Sequence, residues 1–451
     1  MILRRVMGAI VAITLVVGST GEAAASALRP TAHTSAAPSA PMAASDLRMA
    51  LGRLLGEHAF LVMEAMRATA QDRPDFDALA AGLTANSQAL AGAIASVYGD
   101  AAGAAFEPIW QQHIDAMFAW ARATANKDTA AADAALTKMQ DYRTRFGAFL
   151  TGANPHLSGD AESHALQLHL DQLTSFVGTD YGQAFATQRA AYSHMFDFGD
   201  HLARAIVAQF PDRYPDGSVA FSPRATLRLT LGRLLGEHLV LAAQAMRGGL
   251  LERSDAAAAA ASLSANGADL AAAIGRVFGV DAQNAFAEVW GRHVTTYLSY
   301  IDAVRDGDGA ARQAALASLH IYHVTLADFL HTALPSLSTS DLESLISHHV
   351  AALVNQVDAA AAGDHVRTVT VTREAYAQMF VVGDALGNGI AVQFPERFGD
   401  VKQVPPTNMA VVDPIAEPVL LLLVSVAGLL VLVGIAIRRR TIAAGAGVHR
   451  P

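Results

Sequence analysis

The 451-residue chain contains no cysteine. This absence excludes disulfide bonds, thiolate metal sites and cysteine nucleophiles, so any chemistry must use histidine, carboxylate, methionine, tyrosine or serine side chains. Charge is also sparse: Asp, Glu, Lys and Arg together make up 16% of the residues and leave a net charge of −9, without a long run of one sign. The chain has no basic stripe, and this argues against a nucleic-acid partner.

The signatures of several enzyme classes are absent as well. The sequence has no HExxH, Walker A or GxSxG motif, no dinucleotide-binding fingerprint and no matched pair of ExxH motifs of the di-iron type. Alanine is abundant and β-branched residues are scarce away from the two ends, which favours helix over strand. The sequence therefore favours an all-α protein that is not an enzyme.

Apolar segments stand at both ends of the chain. Arg4 and Arg5 precede an apolar stretch, and an A-x-A cleavage site follows, so residues 1–27 are predicted to be a secretory signal peptide. Residues 419–437 carry no charge and, as a helix, are about as long as a bilayer is thick. Three arginines follow directly, and positive residues stay on the cytoplasmic side. We therefore expect a single-pass membrane protein with a cytoplasmic tail at 438–451 and its bulk outside the cytoplasm.

Between these segments the chain repeats itself. The sequence Leu51–His58 recurs without change at Leu231–His238, and further matches continue at the same spacing of 180 residues. After a four-residue insertion the spacing becomes 184, as between Tyr192 and Tyr376. We predict two homologous domains flanked by two linkers. The first linker is rich in alanine, proline and serine, and the second contains several prolines. The domains span 45–215 and 223–399, and the linkers span 28–44 and 400–418.

Each copy is predicted to fold as six helices. In the first, Leu47, Leu51, Leu54 and His58 follow the spacing of one apolar helix face, and Ser45 stands where an N-cap belongs. Short loops between helices of similar length favour antiparallel neighbours. The predicted fold class is therefore all-α, with two tandem up-down helical bundles and one C-terminal transmembrane helix. The helices of the first copy are predicted at 45–70, 75–98, 101–124, 128–152, 159–178 and 183–210.

The first copy contains a series of short motifs in a fixed order: Leu47-Arg48 to Glu57-His58, Tyr98 to Gly103, His113-Ile114, His194-Met195-Phe196 with Gly199-Asp200, and Gln209-Phe210-Pro211. This series resembles a functionally uncharacterised family of small secreted proteins and lipoproteins of Gram-positive bacteria. The resemblance implies a helical bundle and export, and it implies no particular activity. This chain differs from the family in holding two copies and a transmembrane tail, and Gln378 replaces His194 in the second copy.

Each copy carries three histidines on apolar stripes near the middle of its first, third and fifth predicted helices. In an antiparallel bundle these helices run in the same direction, so their midpoints share one depth. We therefore predict one polar layer per copy, which also holds Asn86, Tyr142 and carboxylates. Its candidate ligands are His58, His113, His169, Glu57 and Asp200 in the first copy, and His238, His293, His349, Glu237 and Asp384 in the second.

Polar side chains buried together need partners, since an unsatisfied one costs about 1–3 kcal/mol. One hypothesis is a transition-metal ion, zinc or copper, bound by the three imidazoles with a carboxylate or water. A second is a hydrogen-bond network that fixes helix register in a structural or interaction module of the cell surface. A third, less favoured, is a metal-dependent hydrolase, which needs an open cleft in addition. The sequence leaves these hypotheses open and identifies no protein partner.

Overall fold

The computed structural model describes residues 43–178 and 180–399, and within them all regular structure is helical. The all-α prediction is therefore confirmed for this part of the chain. No helix among these residues is long and apolar enough to cross a membrane. The predicted signal peptide, the transmembrane segment 419–437 and the tail 438–451 lie outside the described residues, as do 400–418 and most of 28–44.

The helices of the first copy begin and end within two residues of their predicted bounds. Ser45 is not the N-cap, however, because α1 already begins at Ala44 and no side chain caps it. The bounds are α1 Ala44–Ala70, α2 Phe76–Tyr98, α3 Asp100–Ala125, α4 Thr129–Ala153, α5 Gly159–Gly178 and α6 Tyr181–Gln209.

The second copy repeats this order after a short 3-10 helix at Gly217–Phe221. Side-chain caps fix several helix starts, as where Ser222 accepts a hydrogen bond from the Ala225 amide at the start of α7. The bounds are α7 Pro223–Leu250, α8 Ala256–Phe278, α9 Val280–Arg305, α10 Gly309–Ala333, α11 Thr339–Ala361, α12 His365–Gln393 and a final turn, α13, at Pro395–Phe398.

The first helix of each copy is buried on all its sides over its central turns. Every residue from Leu54 to Ala68 is buried, and so is every residue from Leu234 to Met246. Helix α1 packs against α2 and α6 of its own copy and also against α7. Such all-round burial is typical of a core helix rather than an amphipathic surface helix.

The two copies therefore share one apolar core, where the sequence predicted two separate bundles. A single cluster of buried residues includes both Leu61 of the first copy and Leu241 of the second. The physical reason is that α1 and α7 have more apolar surface than their own copies can cover, so each helix buries the remainder against the other copy.

The contacts between the copies follow an approximate two-fold symmetry. The Tyr192 hydroxyl donates a hydrogen bond to the Arg233 carbonyl (3.2 Å), and the equivalent Tyr376 hydroxyl donates to the Arg53 carbonyl (3.1 Å). These two hydroxyl oxygens lie 3.1 Å apart, close to the point where equivalent residues meet. Below them the equivalent rings of Phe196 and Phe380 stack with an interplanar angle of 3°.

Pairs of glycines allow the last helix of each copy to approach the first at backbone distance. A Cβ atom added to Gly199 would lie 3.0 Å from the backbone nitrogen of Gly52, and one added to Gly383 would lie 2.5 Å from that of Gly232. Neither neighbour is a flexible side chain that could move aside. The close α7–α12 contact therefore requires glycine at position 383.

The substitution Gly383→Ala should lower the free energy of unfolding by about 1–3 kcal/mol, because the added methyl group forces two packed helices apart. Gly92→Ala is the matched control: Gly92 also lies inside a helix, but an added Cβ meets no atom within 4 Å. That change should leave stability equal or raise it by about 0.5–1 kcal/mol through helix propensity. Equal effects of both substitutions in chemical denaturation would contradict the close-contact explanation.

Candidate metal centre

Helices α1, α3 and α5 bring His58, His113 and His169 together in the interior of the first copy. Each residue offers one ring nitrogen that lies within 4.8 Å of those of the other two. The Nε2 atoms of His58 and His113 are 3.2 Å apart. Two ligands about 2.0–2.1 Å from one tetrahedral ion stand about 3.3 Å apart, so this spacing suits a shared ion.

Helices α7, α9 and α11 build the same arrangement in the second copy. His238, His293 and His349 again offer ring nitrogens within 4.8 Å of one another. Their ring centroids are 5.7–5.8 Å apart, close to the 5.2 and 5.8 Å measured from His58 to the other two rings of the first cluster. The described residues therefore contain two histidine clusters, one within each copy.

Both histidine clusters are closed to solvent. The residues of the first are at most 3% exposed and those of the second at most 7% exposed. Besides the contact between the Nε2 atoms of His58 and His113, nine of the twelve ring nitrogens of the two clusters are buried without a hydrogen-bond partner. These unpartnered atoms are Nδ1 of His58, His113 and His293, and both ring nitrogens of His169, His238 and His349.

Burial keeps the six imidazoles neutral at physiological pH. Desolvation lowers the pKa of His113 and of His293 to about 3, and that of His349 to about 4. It also places the pKa of His58 well below its usual range, and the neighbouring rings of His113 and His169 lower that pKa further. A neutral imidazole has one nitrogen with a free lone pair, which is the form that binds a metal.

Aromatic rings orient the histidines. The Trp110 ring lies 4.6 Å from that of His58 and 4.5 Å from that of His113, measured between centroids. Tyr142 stacks on His113 at 4.4 Å and 20°. Trp290 and Tyr322 occupy the equivalent places in the second copy. The sequence predicted Tyr142 in the polar layer as a candidate hydrogen-bond partner, but Tyr142 and Trp110 instead form the aromatic wall of the cluster. Trp110 precedes His113 by three residues, which places both on one face of α3, and this spacing was the sequence feature that could have predicted the contact.

The predicted carboxylate ligands do not join the histidines. Glu57 accepts hydrogen bonds from the Asn86 amide (2.8 Å) and from Arg373 of the other copy (2.9 Å). Glu237 makes the equivalent bonds with Asn266 (2.8 Å) and Arg189 (3.0 Å). Because a residue next to a histidine in a helix points about 100° away from it, Glu57 and Glu237 face the interface between the copies instead.

The two predicted aspartates lie near the starts of α1 and α7, away from the histidine clusters. Asp200 pairs with Arg48 and with Arg204 (2.9 Å). Asp384 pairs with Arg228 and accepts a hydrogen bond from Asn388 (3.0 Å). The candidate ligand set of each cluster is therefore reduced to its three histidines, and all four carboxylates are excluded from it by their arginine and amide partners.

The metal-free protein should lose stability in mild acid. The pKa of these histidines is lower in the folded state than the usual 6.5, so the unfolded chain binds protons first as the pH falls. The free energy of unfolding should therefore be highest above pH 6.5 and should decrease as the pH drops toward about 3. At pH 5, His113 and His293 should each contribute a loss of about 2 kcal/mol.

Urea denaturation in the presence of a chelator, at a series of pH values, measures this loss. The variant His156→Ala supplies the control, because His156 is exposed and belongs to neither histidine cluster. A free energy of unfolding that stays constant between pH 6.5 and 4.5 would show that the imidazoles are not buried in their neutral form.

Comparison with known proteins adds no relative to this picture. No protein-family model, no curated protein and no solved structure matches the chain. The resemblance of the motifs to secreted Gram-positive proteins therefore stays a prediction, and the function has to be argued from the two histidine clusters themselves.

Proposed function

We propose that the protein binds transition-metal ions outside the cytoplasm, one in each histidine cluster. The observation that supports this most strongly is the convergence of three buried imidazoles, most of whose ring nitrogens lack a hydrogen-bond partner, found twice in one chain. All three ligands of each cluster come from one copy. Each copy is accordingly proposed to hold its own ion.

The energy of the unpartnered nitrogens favours metal over a purely structural layer. A hydrogen-bond network would satisfy the imidazoles through Asn86, Tyr142 or a carboxylate. Asn86 instead donates to Glu57 and to the Leu54 carbonyl, and Tyr142 stacks on a ring. Each buried polar atom left without a partner costs about 1–3 kcal/mol. A bound ion would coordinate one nitrogen of every ring and offset part of that cost.

The ligand type favours zinc or copper. Neutral imidazole suits both ions, and three histidines leave one position of a tetrahedral zinc site for water or another ligand. A hydrolase would need that position to be open to a substrate. The rings are at most 7% exposed, which favours binding, storage or sensing of the ion over catalysis.

The proposed location rests on the sequence of the two termini. A signal peptide at 1–27 and a membrane-spanning helix at 419–437 would place both histidine clusters on the outer side of the membrane, with a single-pass anchor behind them. The histidine clusters would then bind metal ions from the cell surface or from the space outside the membrane. No nucleic-acid partner is proposed.

The protein purified without a histidine tag and dialysed against zinc or copper should contain two ions per chain. His113→Ala should remove the ion of the first cluster and His293→Ala that of the second, so each variant should retain one ion and the double variant none. Elemental analysis of the protein, with circular dichroism to verify folding, measures these stoichiometries.

His156→Ala is the control for that experiment, because His156 is exposed and belongs to neither cluster. This variant should keep both ions. A wild-type protein that retains no metal, or a folded double variant that retains two ions, would contradict the proposal and leave the structural hypothesis in its place.

The membrane topology can be tested in cells that produce the full chain. Protease added to intact spheroplasts should digest residues 45–399 and leave the tail after residue 437 undigested, since the predicted basic cluster keeps that tail inside. Detection with one tag at each side of the segment 419–437 distinguishes the two parts. Complete protection of residues 45–399 would contradict the proposed export.

A further inference from the structure

A network of buried charges joins the two copies where α1 and α7 end. Glu64 is 1% exposed and accepts hydrogen bonds from Gln244 (2.7 Å), from Arg73 (3.4 Å) and, in a short contact, from Arg247. Asp255 is fully buried and pairs with Arg67 (3.5 Å) and Arg247 (3.4 Å). The equivalent arginines 67 and 247 thus each reach a carboxylate of the opposite copy.

The surroundings of these two equivalent arginines differ. Three aromatic rings enclose Arg67, with its guanidinium carbon 4.1, 5.7 and 5.1 Å from the ring centroids of Phe176, Tyr181 and Phe185. At the spacings of 180 and 184 residues, the counterparts around Arg247 are Gln356, His365 and Val369. The second copy therefore has no phenylalanine or tyrosine ring at any of these three positions, and only His365 among them is cyclic.

The smaller side chains leave a cavity beside Arg247. Its volume is about 120 Å³, and His365 and Val369 form part of its wall. Gln356 does not fill the space, because its side chain bonds to Thr372 (2.5 Å) and Tyr297 (3.4 Å). An engineered apolar cavity of about 150 Å³ is large enough to bind benzene. The space beside Arg247 is therefore suited to a molecule of about six non-hydrogen atoms.

The lining of this cavity is divided between charge and hydrocarbon. Arg73, Arg247 and Arg253 contribute positive charge, and Leu61, Leu79 and Val369 belong to the apolar part. The carboxylates of Glu64 and Asp75 also line the cavity, and both are paired with these arginines. Across the whole network the four guanidinium groups of Arg67, Arg73, Arg247 and Arg253 face three carboxylates, those of Glu64, Asp75 and Asp255. The buried Nε atom of Arg247 has no hydrogen-bond partner.

An excess of one positive charge in a mostly buried network is costly unless an anion balances it. Charge-assisted hydrogen bonds from guanidinium groups suit a carboxylate in particular. We propose that the cavity binds a small monocarboxylate of about four carbon atoms. Its carboxylate would lie against Arg247 and its hydrocarbon group against Val369 and the neighbouring leucines. This site is separate from both histidine clusters.

Calorimetric titration of the full chain with isobutyrate tests the proposal, with isobutyramide as a neutral molecule of the same shape. Isobutyrate should bind at one site per chain, and the amide should bind at least about tenfold more weakly, since it lacks the charge. Absence of isobutyrate binding would overturn the proposal. Equal binding of the amide, or tighter binding of inorganic phosphate, would overturn the carboxylate assignment.

Substitutions in the cavity lining test whether isobutyrate binds in this cavity. Val369→Phe restores the ring that Phe185 supplies on the opposite side, and it should fill the cavity and lower the affinity at least about tenfold. His365→Tyr restores the Tyr181 ring in the same way at a less crowded position. Arg247→Gln should weaken binding at least about tenfold by removing the charge-assisted hydrogen bond.

Arg204→Gln is the control, since Arg204 pairs with Asp200 and belongs neither to this network nor to the cavity lining. It should change the affinity by less than about threefold. Unchanged affinity in both Val369→Phe and His365→Tyr, or an equal loss in Arg204→Gln and Arg247→Gln, would refute this location. The metal content should remain the same in all these variants, so the result is independent of the proposed metal binding.

Discussion

The burial of α1 and α7 on every side is the constraint on which the rest of the structure depends. One bundle alone cannot cover a helix with apolar side chains on every side, because the apolar surface left outside that bundle would face water. Each of these helices therefore directs one side toward its own copy and the other toward the opposite copy. The glycine contacts, the tyrosine pair and the stacked phenylalanines all follow from bringing these two helices together.

This arrangement separates two kinds of polar group that are adjacent in sequence. His58 points into its own copy and forms the histidine cluster, whereas Glu57 points across the interface to Arg373. The carboxylates are consequently neutralised by arginines between the copies. The imidazoles remain in a neutral, apolar environment with aromatic walls, where desolvation lowers their pKa and keeps their lone pairs free.

Duplication has kept the histidine clusters similar while the interface between the copies has become asymmetric. The histidine, tryptophan and tyrosine residues of the clusters are the same in both copies. Around the equivalent arginines, in contrast, Phe185 is matched by Val369 and Glu64 by Gln244. A change within one cluster would remove one of three converging imidazoles, whereas a change beside Arg247 opens space without breaking the core. Under the proposed function, the two halves would hold the same kind of ion and still differ at the cavity beside Arg247.

The sequence by itself determined the helices and the meeting of the histidines, because both depend on local periodicity. The apolar spacing in α1 and the matched mid-helix positions of His58, His113 and His169 are enough to place three rings at one depth. The tertiary structure alone decided that Glu57 and Asp200 would leave the histidine cluster, that Tyr142 would stack rather than donate, and that a cavity would open beside Arg247. The physical reason is distance along the chain: Glu57 and Arg373 are 316 residues apart, and no helical period encodes which face of one copy will cover the other.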